Sequence, residues 1–166
     1  HFSGYWKDVG TISSLWEANM EVLDPENSGI NLFDEDWKIF SRNSGMTGHK
    51  ISKGAVVENS MITDGCRVEG TVKHSVLFAG VKVDKGAIIE DAVVMGGSVI
   101  KAGAVVKHCI VAENVTIGAG AVVGAMPEGE VTGVATVGPG VTVGDNAKIG
   151  PNAMVSNDVE GGAEVC

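Results

Sequence analysis

Residues 137–160, VGPGVTVGDNAKIGPNAMVSNDVE, divide into four sixes: VGPGVT, VGDNAK, IGPNAM and VSNDVE. Each six opens on an aliphatic (Val137, Val143, Ile149, Val155), follows it with a small residue (Gly138, Gly144, Gly150, Ser156) and carries Val or Ala at its fifth place (Val141, Ala147, Ala153, Val159). A period of six is neither the 3.6 of an amphipathic helix nor the 2 of a half-buried strand. Short strands joined by a turn at every sixth residue do produce it. In hexapeptide-repeat β-helices each flat side of a prism takes one hexad, the aliphatic fills the interior and the small residue lets the chain round the corner.

The same frame runs upstream with slips. Val83, Ile89 and Met95 read as hexad starts, followed after a five-residue step by Ile100 and Val106, and after another by Val111, Ile117 and Val123. Earlier, Ile51, Val57, Ile62 and Val68 fit, with Ala55, Cys66, Ala87, Ala104, Val115 and Ala121 at fifth places. The fold class expected is mainly β: a left-handed parallel β-helix over 47–160, of about six coils at three hexads per coil. The stretch GAMPEGEVTGVAT, 124–136, puts Pro127 on a fifth place and is expected to loop out between coils, leaving 161–166 as a tail.

Composition agrees. The 166 residues are 44% hydrophobic but only 5% aromatic, with 24 glycines, as small aliphatic strands and tight turns require and a helical bundle would not. The net charge of −9 argues against nucleic acid or an anionic membrane as a partner. It is unevenly spread: residues 1–37 hold one Lys against eight acids, 38–107 hold ten Lys and Arg against six acids, and 108–166 hold one Lys against seven acids. Only the middle segment can attract an anion. Cys66, Cys109 and Cys166 form no CxxC pair and are odd in number, which fits a reducing cytoplasm. No signal peptide or apolar run of membrane-spanning length is present, so the chain reads as soluble and cytoplasmic.

The first 46 residues do not share the repeat. TISSLWEANMEVL, 11–23, spaces Ile12, Leu15, Trp16, Met20 and Leu23 as one helical face, with Ser14 and Glu17 in capping-box spacing and Asp24-Pro25 as the stop. That face needs a partner, either the repeat or a further domain. NLFDEDWKIFSRN, 31–43, is too aromatic for a flexible linker and reads as an irregular connector.

The histidines are His1, His49, His74 and His108. In hexapeptide-repeat acyltransferases a His serves as general base toward an acceptor hydroxyl, and His74 or His108 can be read so. An outward His on a prism face, with no partner nearby, is the preferred reading. None of the four lies in a short metal-ligand spacing.

GYWKDVGTISSLWEANMEVL, then NLFDEDWKIF, VVENSMITDGCRVEGTV, SVLFAGVKV and IIEDAVVM, in this order along essentially the whole chain, resemble the bacterial glucose-1-phosphate adenylyltransferases, the ADP-glucose pyrophosphorylases of glycogen synthesis. The resemblance implies that residues 1–46 are the end of a nucleotidyltransferase domain plus a connector, and that the repeat is the β-helix that closes such chains. It implies a parent enzyme joining ATP and α-D-glucose 1-phosphate into ADP-glucose and pyrophosphate, a reaction needing Mg²⁺ and basic side chains against phosphate charge. Asp8 matches the metal-ligand Asp of the family's YWRDVGT motif; from the residues alone it is equally a cap near the helix start. Lys7 stands where the family has Arg, a point charge in place of a planar fork. Where some members carry an effector-binding Asp-Lys pair in a stretch like IIDKN, this chain has IVAEN with Ala112 and Glu113, so the same anion site is not expected there. Lys73, Lys82, Lys85 and Lys101 are the substitute candidates for a sugar-phosphate or nucleotide effector. The resemblance further implies a homo-oligomer, a tetramer in the parent, and no catalytic residue in this chain beyond its half of the metal site. A non-catalytic regulatory paralogue and, more distantly, an acyltransferase are the alternatives.

Overall fold

The computed structural model describes residues 1–40, 43–129 and 133–166. From Lys50 onward every named strand pairs in parallel with the strand one coil away, which builds three faces. Face A stacks Lys50–Ile51, Arg67–Val68, Lys82–Val83, Val99–Ile100, Thr116–Ile117 and Thr142–Val143. Face B stacks Val56–Glu58, Thr71–Lys73, Ile88–Glu90, Val105–Lys107, Val122–Val123, Lys148–Ile149 and Glu164–Val165. Face C stacks Met61–Ile62, Val76–Leu77, Val93–Val94, Cys109–Val111, Ala135–Val137 and Met154–Val155. This is a parallel β-helix of about seven turns. The expected tail is part of it, because Glu164 and Val165 pair with Lys148 and Ile149 and add the seventh strand of face B.

The interior is the column of hexad aliphatics. Val83, Ile89, Val94, Ile100, Val106, Val111, Ile117, Val123, Val137, Val143 and Ile149 are all buried in one cluster with the small fifth-place residues Cys66, Ala87, Ala104, Ala121 and Ala147. One hexad start is corrected: the inward residue is Val94, and Met95 is displaced to the outside, where it packs on a second cluster. Val72, absent from the repeat frame, also points inward. The five-residue steps therefore run from Ile89 to Val94 and from Val106 to Val111, always at the corner from face B to face C. A corner one residue short cannot be rounded with ordinary backbone. Its turning residues Asn59, His74, Asp91 and His108 take positive φ of 36°, 41°, 57° and 43°, a conformation costly for residues with a Cβ.

The corner from Val68 to Val72 is shorter still. A Cβ on Gly70 would fall against the carbonyl oxygen of Ala87 and 2.8 Å from that of Asp84, both backbone atoms of the next coil. Gly70→Ala is accordingly expected to lower stability by about 2 kcal/mol, the usual scale of overpacking against atoms that cannot yield. A denaturant midpoint within error of the parent would contradict it.

The expected excursion at 124–136 falls partly on 130–132, outside the described residues. Its downstream limit is corrected, since Ala135 and Thr136 already belong to face C. The insertion is visible in the register, for Ile117 pairs with Val143, 26 residues on, whereas Ile100 pairs with Ile117.

Helix α1, Ile12–Glu21, lies where the sequence places it, but its cap differs. Thr11 is the N-cap: its hydroxyl accepts the Ser14 N–H at 3.1 Å while Ser14 Oγ accepts the Thr11 N–H at 3.0 Å. The reciprocal pair thus begins three residues before the expected Ser14 and Glu17. Asp24-Pro25 ends the helix and starts a single further turn, α2, Pro25–Ser28. The partner of the α1 apolar side is the β-helix itself. Met20, Leu15, Trp16 and Leu23 pack with Met61, Val76, Val93 and Ile110, the outward residues of four successive strands of face C.

Candidate functional site

Three groups of residues merit a functional reading: the N-terminal motif, the basic segment, and the corner beneath α1. In the motif, Asp8 is exposed and its Oδ1 accepts the Gly10 N–H at 3.0 Å, a local Asx turn leading into the Thr11 cap. Lys7 turns back onto α1 and pairs with Glu21 at 2.6 Å and Glu17 at 3.0 Å, while the Tyr5 hydroxyl donates to the other Glu21 oxygen at 2.6 Å. The two hydrogen bonds, the Lys7 one foremost, hold the Glu21 carboxyl below the ordinary carboxylate range and raise Lys7. These contacts are present above that range and are lost as acid protonates Glu21. A Mg²⁺ ion needs several hard oxygen ligands. Among the described residues no three His, Cys, Asp or Glu converge as a metal would require, so Asp8 offers one carboxylate and the residues present do not make a complete site.

The basic residues fall on different faces. Lys73 lies on face B and is committed to Glu58 at 2.7 Å. It belongs to a column of alternating sign, Glu58, Lys73, Glu90 and Lys107, paired in register from coil to coil. Lys82 lies on face A in register with Arg67, which is in register with Lys50. Lys85 borders a shallow recess at the corner between faces A and B together with Lys53, Ser52 and Thr71, and Lys101 follows the strand Val99–Ile100. A second recess beside it is lined by Lys50, Arg67, Thr47 and Ser52, with Glu69 shared between the two. The ion pairs among the described residues engage Lys7, Lys73, Lys107 and Lys148, and none engages Lys50, Arg67, Lys82, Lys85 or Lys101.

The corner beneath α1 brings His74 and His108 together with a residue the sequence did not single out. Asp91 Oδ1 meets His74 Nδ1 at 2.8 Å and Asp91 Oδ2 meets His108 Nδ1 at 2.7 Å. The Trp16 indole N–H donates to the Asp91 carbonyl oxygen at 2.9 Å, and its ring lies against that of His108 with centroids 4.5 Å apart. The reading of both histidines as unpartnered is therefore corrected; His74 stays outward, its side chain 43% exposed, while His108 is covered by Trp16. The available signal was the spacing 74, 91, 108: one 17-residue coil apart, these positions must stack. Cys109, beside His108, is fully buried, and burial first and the Asp91 charge second push its thiol upward, so it stays neutral and serves as interior filling.

With the prism and its sites placed, comparison with known proteins is informative. Residues 44–144, more than half of the chain, match the family described as GlmU-like, C-terminal hexapeptide. The chain belongs to that family. Among curated proteins it is 54% identical over 99 residues to glucose-1-phosphate adenylyltransferases of Bacillus thuringiensis (strain Al Hakam) and of Bacillus anthracis. The aligned part is 60% of this chain and 26% of each relative, so this hexapeptide-family chain spans about a quarter of the length of the relatives it matches. Among solved structures, the acetyltransferase domain of PglB from Neisseria gonorrhoeae FA1090 superposes over 72% of this chain and 55% of its own at 24% identity, with a TM-score of 0.35 too low to bear on activity. The resemblance to the adenylyltransferases stands. No helix among the described residues is long and apolar enough to cross a membrane.

Proposed function

We propose that this chain is the C-terminal assembly and regulatory part of a glucose-1-phosphate adenylyltransferase, an enzyme joining ATP and α-D-glucose 1-phosphate into ADP-glucose with release of pyrophosphate. The observation that carries the reading is the 54% identity over 99 residues to enzymes of that name. The N-terminal segment supports it. Phe2, Trp6, Phe33, Trp37 and Phe40 are all 73–88% exposed, far more aromatic surface than a solvated segment carries and suited to burial against a neighbouring domain.

The reaction is attack by the sugar phosphate on the α-phosphorus of ATP, with negative charge growing on phosphate oxygens. Mg²⁺ would supply part of the neutralisation there, and Asp8 would offer it one carboxylate beside ligands carried elsewhere in the enzyme. The segment around it is held in place by Lys7 and Tyr5 on Glu21 of α1. The chain alone therefore does not turn over. With ATP, glucose 1-phosphate and Mg²⁺, the 166-residue chain is expected to release no pyrophosphate above background, whereas the same residues joined to a nucleotidyltransferase domain of the relatives' kind are expected to release it. Turnover by the short chain would overturn the division of labour, and an inactive long chain would overturn the assignment.

The regulatory part rests on the basic segment. Lys82, Lys85 and Lys101, with Arg67 and Lys50 on the same side and none of them in a described ion pair, favour a phosphorylated effector there. Lys73, neutralised by Glu58, contributes least. The parent is read as a homo-oligomer, a tetramer, acting in the cytoplasm.

A further inference from the structure

The three faces of the prism differ in what they turn outward, since on each strand an inward residue alternates with outward ones. Face A presents Lys50, Arg67 and Lys82 to solvent. Face C presents Met61, Val76, Val93 and Ile110, and α1 lies over them. Face B presents a strip of Val56, Thr71, Ile88, Val105 and Val122, stacked in register on five successive coils. Here Val56 and Ile88 stay 43% and 37% exposed. A row of β-branched side chains on a flat sheet face is the kind of surface that packs against another sheet.

What packs there is indicated by the charges beside the strip. Two residues farther along the strands runs the column Glu58, Lys73, Glu90 and Lys107, paired within the chain as Glu58 with Lys73 at 2.7 Å and Glu90 with Lys107 at 2.9 Å. Its signs alternate from coil to coil, so the column read backwards is the complement of the column read forwards. A two-fold axis lying along the strand direction, between the coils of Lys73 and Glu90, lays strip on strip and column on reversed column. Glu58 then faces Lys107 of the second copy, and Lys73 faces its Glu90. Slipping this arrangement by one coil sets like charge against like. A two-fold axis along the coil direction instead sends the two columns to opposite edges.

We propose that face B is a self-association surface, on which a second copy of this chain packs antiparallel about that two-fold axis. The apolar strips supply the contact, and the charged columns at its edge fix the register more than they add affinity. An isologous contact of this kind closes at two copies. The inference builds on the homo-oligomer reading given above and is independent of which reaction the parent performs.

Sedimentation equilibrium of the 166-residue chain over a range of concentrations tests it, with a reversible monomer–dimer equilibrium as the expected result. Ile88→Lys puts a charge into the strip and is expected to raise the dissociation constant at least about tenfold. Two charge exchanges then separate pairing within the chain from pairing between copies. Lys73→Glu with Glu58→Lys keeps the ion pair within the chain but opposes like charges at every meeting across the axis, and is expected to weaken the dimer about tenfold. Lys73→Glu with Glu90→Lys breaks both pairs within the chain but keeps every pairing across the axis, and is expected to stay within about threefold of the parent. The reverse order, or no difference between the two exchanges, overturns the antiparallel arrangement. A chain that stays monomeric up to about 1 mM overturns the surface itself. Association that Ile88→Lys and both exchanges leave unchanged also overturns it: the contact then runs through another surface, such as the exposed aromatics of the N-terminal segment, and the homo-oligomer reading stands without face B.

Discussion

Ile89→Asp is expected to leave the chain without a cooperative unfolding transition, while Ile88→Asp, one residue earlier, melts within a few degrees of the parent. The two side chains share a strand of face B but point to opposite sides: Ile89 is fully buried in the interior column, and Ile88 is 37% exposed on the outer surface. An inward carboxylate at position 89 would sit among Val72 and Val106, its register partners in the adjacent coils being Val72 and Val106 themselves, with no polar group to receive it. Burying an unpaired charge costs several kcal/mol even after relaxation, comparable to the whole stability of an ordinary domain. The position is central, and each coil contacts only its neighbours, so the defect divides the stack in two and exposes aliphatic ends on both halves. Thermal melts followed by circular dichroism check the pair. Equal damage from both substitutions would mean that the strand does not alternate as the structure has it.

How much of this was legible follows from what a six-residue pattern encodes. At 137–160 the aliphatic and small positions keep strict phase, and Val137, Val143, Ile149 and Val155 all face the interior. Upstream the phase slips, and two adjacent aliphatics then compete for one place. Val94 and Met95 both satisfy the pattern, and the interior takes the β-branched Val while the longer Met lies outside against α1. The slip itself was readable as a five-residue step, but its consequence was not. A frame that asks only for a small residue at each corner does not say that His74, Asp91 and His108 will take positive φ there and meet. The α1 helix was legible from its spacing, yet an amphipathic pattern states that a face must be covered and not by what. Asp8 shows the opposite case: its match to a motif was plain, while the contacts the structure gives it reach no farther than Gly10.

Trp16→Ala is expected to release α1 while leaving the β-helix intact. The substitution removes both the packing of the indole against the cluster that includes Val76, Val93 and Ile110 and its hydrogen bond to the Asp91 carbonyl. Trp16 is half-buried, so the loss is less than the 3–5 kcal/mol of a fully enclosed Trp; about 2–3 kcal/mol is expected, including the carbonyl left without its donor. A ten-residue helix is marginal in water even with a good cap, so α1 does not persist once detached. Its amides should then exchange on the order of 30 to 150 times faster, as each 1.4 kcal/mol is a factor of ten. The amides of the strand Val99–Ile100, held between coils in the interior of face A, should keep their protection. The contrast separates docking from folding. If the strand amides lose protection in step with α1, the helix is an integral part of the solenoid's stability; if α1 is unaffected, the indole is not what seats it. Phe at position 16 refines the account, because it restores most of the apolar contact without the N–H: protection intermediate between Trp and Ala would apportion the seating between packing and the bond to Asp91.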